Sequence, residues 1–215
     1  MSARIDYTRF VLACDGFYAD PAAVYQRALR AEYHELEHVT GLRSTSVYHE
    51  PGVRARLARL LGVRITRWDT DPAEENGVFY QGLAEGRQKE MPGVHSDFPC
   101  NDITAVVYLT PGLPADRGTS LWMHKATGLT DPAGAGDARR LGRSRRELND
   151  LLQRDSRHRA RWIEIDRVGY RQNRIVAYAS GMLHSATRHH GGSLGNGRIY
   201  QTFRLGVDWS TFTRG

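Results

Sequence analysis

Apolar residues in this 215-residue chain recur mostly at every second position, the period of a half-buried strand. Residues 3–13 alternate loosely through Ile5, Tyr7, Phe10, Val11 and Leu12 and predict a strand ending at Asp15-Gly-Phe. Val63 to Trp68 and Gly77 to Gln81 predict two more, separated by the polar turn 69–76. Further strands are expected over 103–110, Thr119–His124, 162–166 and 175–178, and a last one opens at Arg198. Helical spacing is confined to three places. Asp20-Pro21 is a favourable helix start for residues 22–35, with Val24, Ala28, Leu29 and Ala31 on one face. Arg54–Leu61 predicts a short helix closed by Gly62. Ser144 with Glu147 three residues on reads as a capping box for a helix carrying Leu148, Leu151 and Leu152.

Dense strands separated by Gly/Pro turns predict a mainly β sandwich or barrel with flanking helices. The length suits one domain, 1–215, with a substantial core. Within it, residues 1–61 form an N-terminal helical support, and 128–161 interrupt the strands as a helical insertion. The apolar runs are short of a membrane span, and residues 1–16 lack the basic start and apolar core of a signal peptide. Cys14 and Cys100 stand far apart and outside any Cys-x-x-Cys pair, so free thiols in the cytoplasm are expected.

Lys and Arg total 30 against 24 acidic residues, a formal charge of +6. Only Lys89 and Lys125 are lysines. An arginine bias of this kind reflects a GC-rich genome as much as physics. The arginines of 139–161 amount locally to the whole chain's excess, but no aromatic residue interleaves those of 139–159, which argues against single-stranded nucleic acid. Nucleic acid and membrane are therefore not the expected partners.

The chemistry-bearing stretch is 92–111. His95 and Asp97, two apart at the end of a strand, present an imidazole and a carboxylate on one face. That is two-thirds of a 2-His-1-carboxylate facial triad, the set that leaves positions open on Fe(II). Downstream come Asn173-Arg-Ile-Val-Ala-Tyr178, then Gly181-Met-Leu-His184-Ser, then Gly197-Arg198-Ile-Tyr-Gln-Thr202. His34 and His38, four apart on the first predicted helix, offer a second metal-type spacing, set against two surface histidines at a helix end.

This ordered set resembles the Fe(II)/2-oxoglutarate-dependent dioxygenases, and more closely a small uncharacterised bacterial subfamily reading "Asn-Arg, apolar strand, His-Ser". The resemblance covers most of 60–210. It implies a double-stranded β-helix (jelly-roll, cupin-like) core over 62–127 and 162–212, with 128–161 as a helical insertion or lid. It implies His95, Asp97 and His184 as ligands of Fe(II). It also implies Arg198 as the residue gripping the distal carboxylate of 2-oxoglutarate, assisted by Tyr108 and Thr202, with O2 as the oxidant. For Tyr108 and Thr202, plain strand packing is the competing reading. His189, nine residues before Arg198, competes with His184 for the third ligand position. The family commonly has Arg-x-Ser, where this chain has Tyr200. With Asp97 retained, hydroxylation, desaturation or cyclisation is implied rather than halogenation. Trp122, His124 and Arg204 are candidate substrate contacts. The substrate implied is a small molecule, amino acid or peptide, acidic and carrier-bound forms included, in specialised metabolism. A non-catalytic metal-binding jelly-roll, such as a cupin-like sensor, is the alternative, and Arg198 discriminates because a plain metal site needs no such cation. The insertion reads either as a lid attracting an acidic partner or as a solvated helix packed by its leucines.

Overall fold

The computed structural model describes residues 9–35 and 41–212. In chain order its elements are β1 (Val11–Cys14), α1 (Pro21–Leu29), β2 (Tyr33–Glu35), β3 (Leu42–Ser44), α2 (Val53–Leu61), β4 (Arg64–Arg67), β5 (Val78–Gly82), β6 (Ile103–Tyr108), β7 (Thr119–His124), α3 (Ala135–Leu141), α4 (Arg145–Asp155), β8 (Trp162–Val168), β9 (Ile175–Ala179), β10 (His184–Ala186) and β11 (Arg198–Asp208). Two antiparallel sheets result. The large one runs β1-β9-β6-β11-β5-β3-β2, with β4 also paired to β11, and the small one runs β10-β7-β8. This is a jelly-roll, as the resemblance implied.

The period of two decides what each face does. On β6, Ile103, Ala105 and Val107 join Ile199, Phe203 and Leu205 of β11 in the main core, beneath Leu57 of α2 and Val24 and Ala28 of α1. Side chains such as Leu57, Ile103 and Ile199 are fully buried, each burial contributing about 1.5–3 kcal/mol. The alternate residues, Thr104 and Val106 of β6 and Arg198, Tyr200, Thr202 and Arg204 of β11, face the small sheet across a cavity.

Helix α1 stops at Leu29, short of the expected Glu35. The apolar stripe ends there, and residues 33–35 pair instead with β3, Tyr33 opposite Ser44. The Tyr33 hydroxyl then donates to the Ala28 carbonyl at 3.0 Å, a second donor to a helix-end acceptor that Ala31 N also reaches at 3.2 Å. His34 therefore lies on a strand, without the expected helical pairing; His38 and residues 3–8 of the first predicted strand lie outside the described residues.

The stretch 128–161 folds as α3 and α4 on the small sheet. Ser144 and Glu147 form the reciprocal capping box, Glu147 N to Ser144 Oγ at 3.2 Å and Ser144 N to Glu147 Oε2 at 2.8 Å. Leu148 and Leu152 bury against Trp122, Trp162 and Leu183. The end of α4 is tied to the chemistry-bearing stretch, because Val94 N donates to the Ser156 carbonyl at 2.9 Å.

Candidate metal centre

His95 and Asp97 do not sit on a continuous strand. Pro92-Gly93 before them and Pro99 after them leave room only for an isolated bridge, in which His95 and His184 exchange backbone hydrogen bonds of 3.0 and 2.8 Å. Asp97 N donates to the Ser180 carbonyl at 2.8 Å. His184 opens β10 after the turn at 180–181, one strand later than expected. These backbone pairs bring His95, Asp97 and His184 together, their ligand-type atoms all within 4.8 Å of one another. His95 Nε2 lies 3.8 Å from Asp97 Oδ1, and His184 Nε2 lies 3.4 Å from Asp97 Oδ2.

Both rings have a defined tautomer. His95 Nδ1 lies 3.0 Å from the Gly93 carbonyl and His184 Nδ1 2.9 Å from the Met182 carbonyl. A carbonyl only accepts, so each Nδ1 carries the proton and the neutral ring's lone pair sits on Nε2. Burial pushes the His184 imidazole down to about 4, outweighing the opposing pull of Asp97. Burial also opposes ionisation of Asp97, but His184, Arg204, His95 and the Thr104 hydroxyl together hold its carboxyl well below the usual range. Two lone pairs and a carboxylate thus converge on one point, an arrangement a divalent cation relieves. His95, its side chain 53% exposed, leaves one side of that point open.

The carboxylate is held from behind. Thr104 Oγ1 donates to Asp97 Oδ2 at 2.7 Å, and Asn101 Nδ2 supports Thr104 at 3.0 Å. Arg204 Nη1 lies 2.8 Å from Asp97 Oδ1, while its Nη2 pairs with Glu75. Glu75 in turn accepts from Arg43 at 2.9 Å and from the Tyr80 hydroxyl at 2.5 Å. Arg204, expected as a substrate contact, is already engaged with two carboxylates.

Arg198 is different. It is 1% exposed, its Nε donates to the Arg117 carbonyl at 2.6 Å and its Nη2 to the Gly118 carbonyl at 3.3 Å. Its Nη1 has no hydrogen-bond partner, and among the described residues no carboxylate pairs with it. The guanidinium rests between the rings of Tyr108 and Tyr200, at 5.3 and 4.4 Å. A buried cation left without an anion is costly, a cost that an anionic ligand would offset.

Arg198, Thr202, Arg204 and the three convergent residues all line one cavity of about 860 Å³. Tyr108 does not reach it: fully buried, it shares a 2.7 Å hydrogen bond with Thr119 and stacks on Tyr170. Trp122 and His124 do not reach it either. On β7 the cavity side is the odd parity, with Thr119 in the lining and Leu121 in the core between the sheets. Trp122 and His124 point the other way, Trp122 bonded to Ser185 and His124 to Thr127 and Asp155 beneath α4. His189 lies in the cavity wall near Glu90, outside the convergent set, and Cys100 is exposed. Thr104, Thr119, Tyr178 and Glu75 are cavity residues that sequence reasoning missed. Thr104 was findable, since it sits four before Tyr108 on the same strand face. The end of α4 and its following turn supply the opposite wall through Gln153, Arg154, Ser156, Arg157 and His158.

Residues 87–197, just over half the chain, match the sequence profile of a family of unknown function, DUF6445. The chain belongs to the DUF6445 family. The DUF6445 match includes His95, Asp97, His184 and His189 and ends one residue before Arg198. No curated protein matches the sequence. Among solved structures, this DUF6445 chain is similar to HygX from Streptomyces hygroscopicus with nickel and 2-oxoglutarate bound. The identity is 14%, the TM-score 0.52, and the match covers 94% of this chain and 84% of HygX. It is also similar to SnoK, a non-heme alpha ketoglutarate dependent carbocyclase from nogalamycin biosynthesis, at 11% identity, TM-score 0.47, covering 93% and 81%. A Pseudomonas putida prolyl-4-hydroxylase matches at 14% identity and TM-score 0.36, over 93% and 94% of the two chains. At such identities the likeness to HygX is one of fold. No helix among the described residues is long and apolar enough to cross a membrane.

Proposed function

We propose that the protein is a non-haem Fe(II)/2-oxoglutarate-dependent oxygenase that hydroxylates an unactivated C–H of a small molecule, amino acid or peptide. The observation that carries this reading is the buried, uncompensated guanidinium of Arg198 in the same cavity as three convergent ligand-type residues. His95, Asp97 and His184 would hold the metal through Nε2, a carboxylate oxygen and Nε2. Arg198 would receive the distal carboxylate of the keto acid, with Thr202 on the same strand face and Tyr108 setting the guanidinium from below. Bound there, Fe(II) and 2-oxoglutarate would supply the oxidising chemistry together with O2, one oxygen atom going to the succinate released with carbon dioxide and the other to the substrate C–H. The chain's own residues bind, orient and exclude water. Burial keeps His184 neutral and available, Arg204 and Thr104 keep Asp97 ionised and fixed, and the two sheets shield the Arg198 end from solvent.

The test is direct. Purified protein should bind one Fe(II) per chain and release succinate from 2-oxoglutarate under air, slowly even without a substrate. Asp97→Ala removes the anionic ligand and should abolish both, whereas Cys100→Ala should leave metal binding intact. Unchanged succinate formation in Asp97→Ala or His184→Ala would sink the assignment.

A further inference from the structure

His189 belongs to none of the roles assigned above, yet it is built into the cavity wall. It is 6% exposed, and neither ring nitrogen has a hydrogen-bond partner. Its Nε2 lies 3.4 Å from Glu90 Oε1 without the alignment of a hydrogen bond. A buried imidazole with both nitrogens unmatched is unfavourable unless a ligand completes it.

The seat of the ring shows where that ligand lies. A Cβ on Gly82 would fall 2.0 Å from His189 Nδ1, so the ring occupies the space that any other side chain at 82 would fill. Gly82 stands directly opposite Arg198 in the antiparallel pairing of β5 with β11. Opposed residues of such a pair project to the same face, with Cβ atoms about 4.5–5.5 Å apart. The imidazole therefore sits beside the root of the Arg198 side chain, on its cavity side. The loop that presents it is stitched down: Ala84 N and Glu85 N both donate to the Gly191 carbonyl, at 2.9 and 3.0 Å. Gly191 has φ +64°, and a Cβ there would meet the Asn196 carbonyl oxygen at 2.3 Å. Two unmatched groups, Arg198 Nη1 and the His189 ring, thus line one cavity, the ring on the β5 side of Arg198 and the guanidinium over Tyr108 of β6.

We propose that His189 is a second anchor for the carboxylate held by Arg198, donating a ring N–H to the distal carboxylate of 2-oxoglutarate. This rests on the oxygenase reading above. It makes His189 a cosubstrate-binding residue rather than a metal ligand, and it assigns Gly82 the role of admitting the ring.

The experiment is a calorimetric titration of 2-oxoglutarate into Ni(II)-loaded protein, Ni(II) standing in for Fe(II) so that nothing turns over. His189→Leu should weaken 2-oxoglutarate about tenfold to a hundredfold, the loss of one hydrogen bond to a charged group. His189→Gln, which keeps an N–H, should recover part of it. Gly82→Ala, which displaces the ring without removing a polar group, should reproduce the loss. The specific signature is a comparison with 2-oxobutyrate, which lacks the distal carboxylate: its affinity should be the same in wild type and His189→Leu. Equal 2-oxoglutarate affinity in wild type and His189→Leu would overturn this proposal alone. So would loss of Ni(II) binding in His189→Leu, which would make the residue a metal ligand. Wild-type protein that takes up Ni(II) but not 2-oxoglutarate would overturn the oxygenase reading and this proposal together.

Discussion

The two walls of the cavity treat positive charge in opposite ways. On the β11 wall Arg198 is buried and Arg204 half-buried, and the surroundings of each are specified: Arg204 between Asp97 and Glu75, Arg198 on two carbonyls with one nitrogen left over. On the α4 wall the arginines are solvated. Arg154 is 71% exposed in its side chain and only loosely paired with Asp155 at 3.9 Å, and Arg146, farther along the helix, is 92% exposed. A buried charge must be matched, so its missing partner identifies a ligand; a solvated charge is already satisfied by water and identifies nothing. The nine arginines between 139 and 161 are conspicuous in the sequence, yet the single arginine at 198 carries more functional information.

Four variants test that contrast, in falling order of effect. Arg198→Ala should raise the apparent Michaelis constant for 2-oxoglutarate by a factor of tens to thousands, about 2–5 kcal/mol, while Fe(II) affinity changes much less. Arg198→Lys should recover only part of this, because the charge remains but the fork is lost. A 2-oxoglutarate titration like that of wild type would place the anion elsewhere on the β11 wall and break the comparison at its strong end.

On the helical wall the informative residue is apolar. Leu148 is fully buried against Trp122 and Trp162, so Leu148→Ala should cost about 2–4 kcal/mol in chemical denaturation. A loss under about 0.5 kcal/mol would mean that α4 is not held by this contact and is free to move as a lid. The smallest effect should come from Arg145→Ala/Arg146→Ala. Stability should stay within about 0.5 kcal/mol of wild type, and the salt dependence of kcat/KM, once a substrate is known, should be unaltered. A flatter salt dependence in the double variant would show that these arginines steer an acidic partner after all.

How much of this was legible in the sequence follows from the same physics. Strands with a clean alternation, such as those at 103–108 and 198–208, were readable because one face is apolar core and the other carries the polar cavity residues. Thr119–His124 was readable as a strand but not in parity. Both of its faces are covered, by the large sheet on one side and by α4 on the other, so the pattern holds no inside-outside signal. Trp122 and His124 were accordingly placed on the wrong face. The segment carrying His95 and Asp97 is not the strand end expected, since its partner is an isolated bridge from His95 to His184, far along the chain, that no local pattern records. Glu75 and Thr119 were invisible for the same reason. Their contacts with Arg204 and Tyr108 exist only once the sheets are assembled.

The tautomer locks of the two histidines have a consequence for how this centre can drift. Each Nδ1 proton is received by the main-chain oxygen two residues earlier, at Gly93 and Met182, and every amino acid brings such an oxygen. The orientation of the imidazoles is thus written in backbone geometry rather than in the identity of a neighbouring side chain. Substitutions at 182 that respect the local turn should leave the donor set intact. Asp97 has no such insulation, because Thr104 and Arg204 hold it with side chains that mutation can erase. The centre is tolerant around its imidazoles and brittle around its carboxylate.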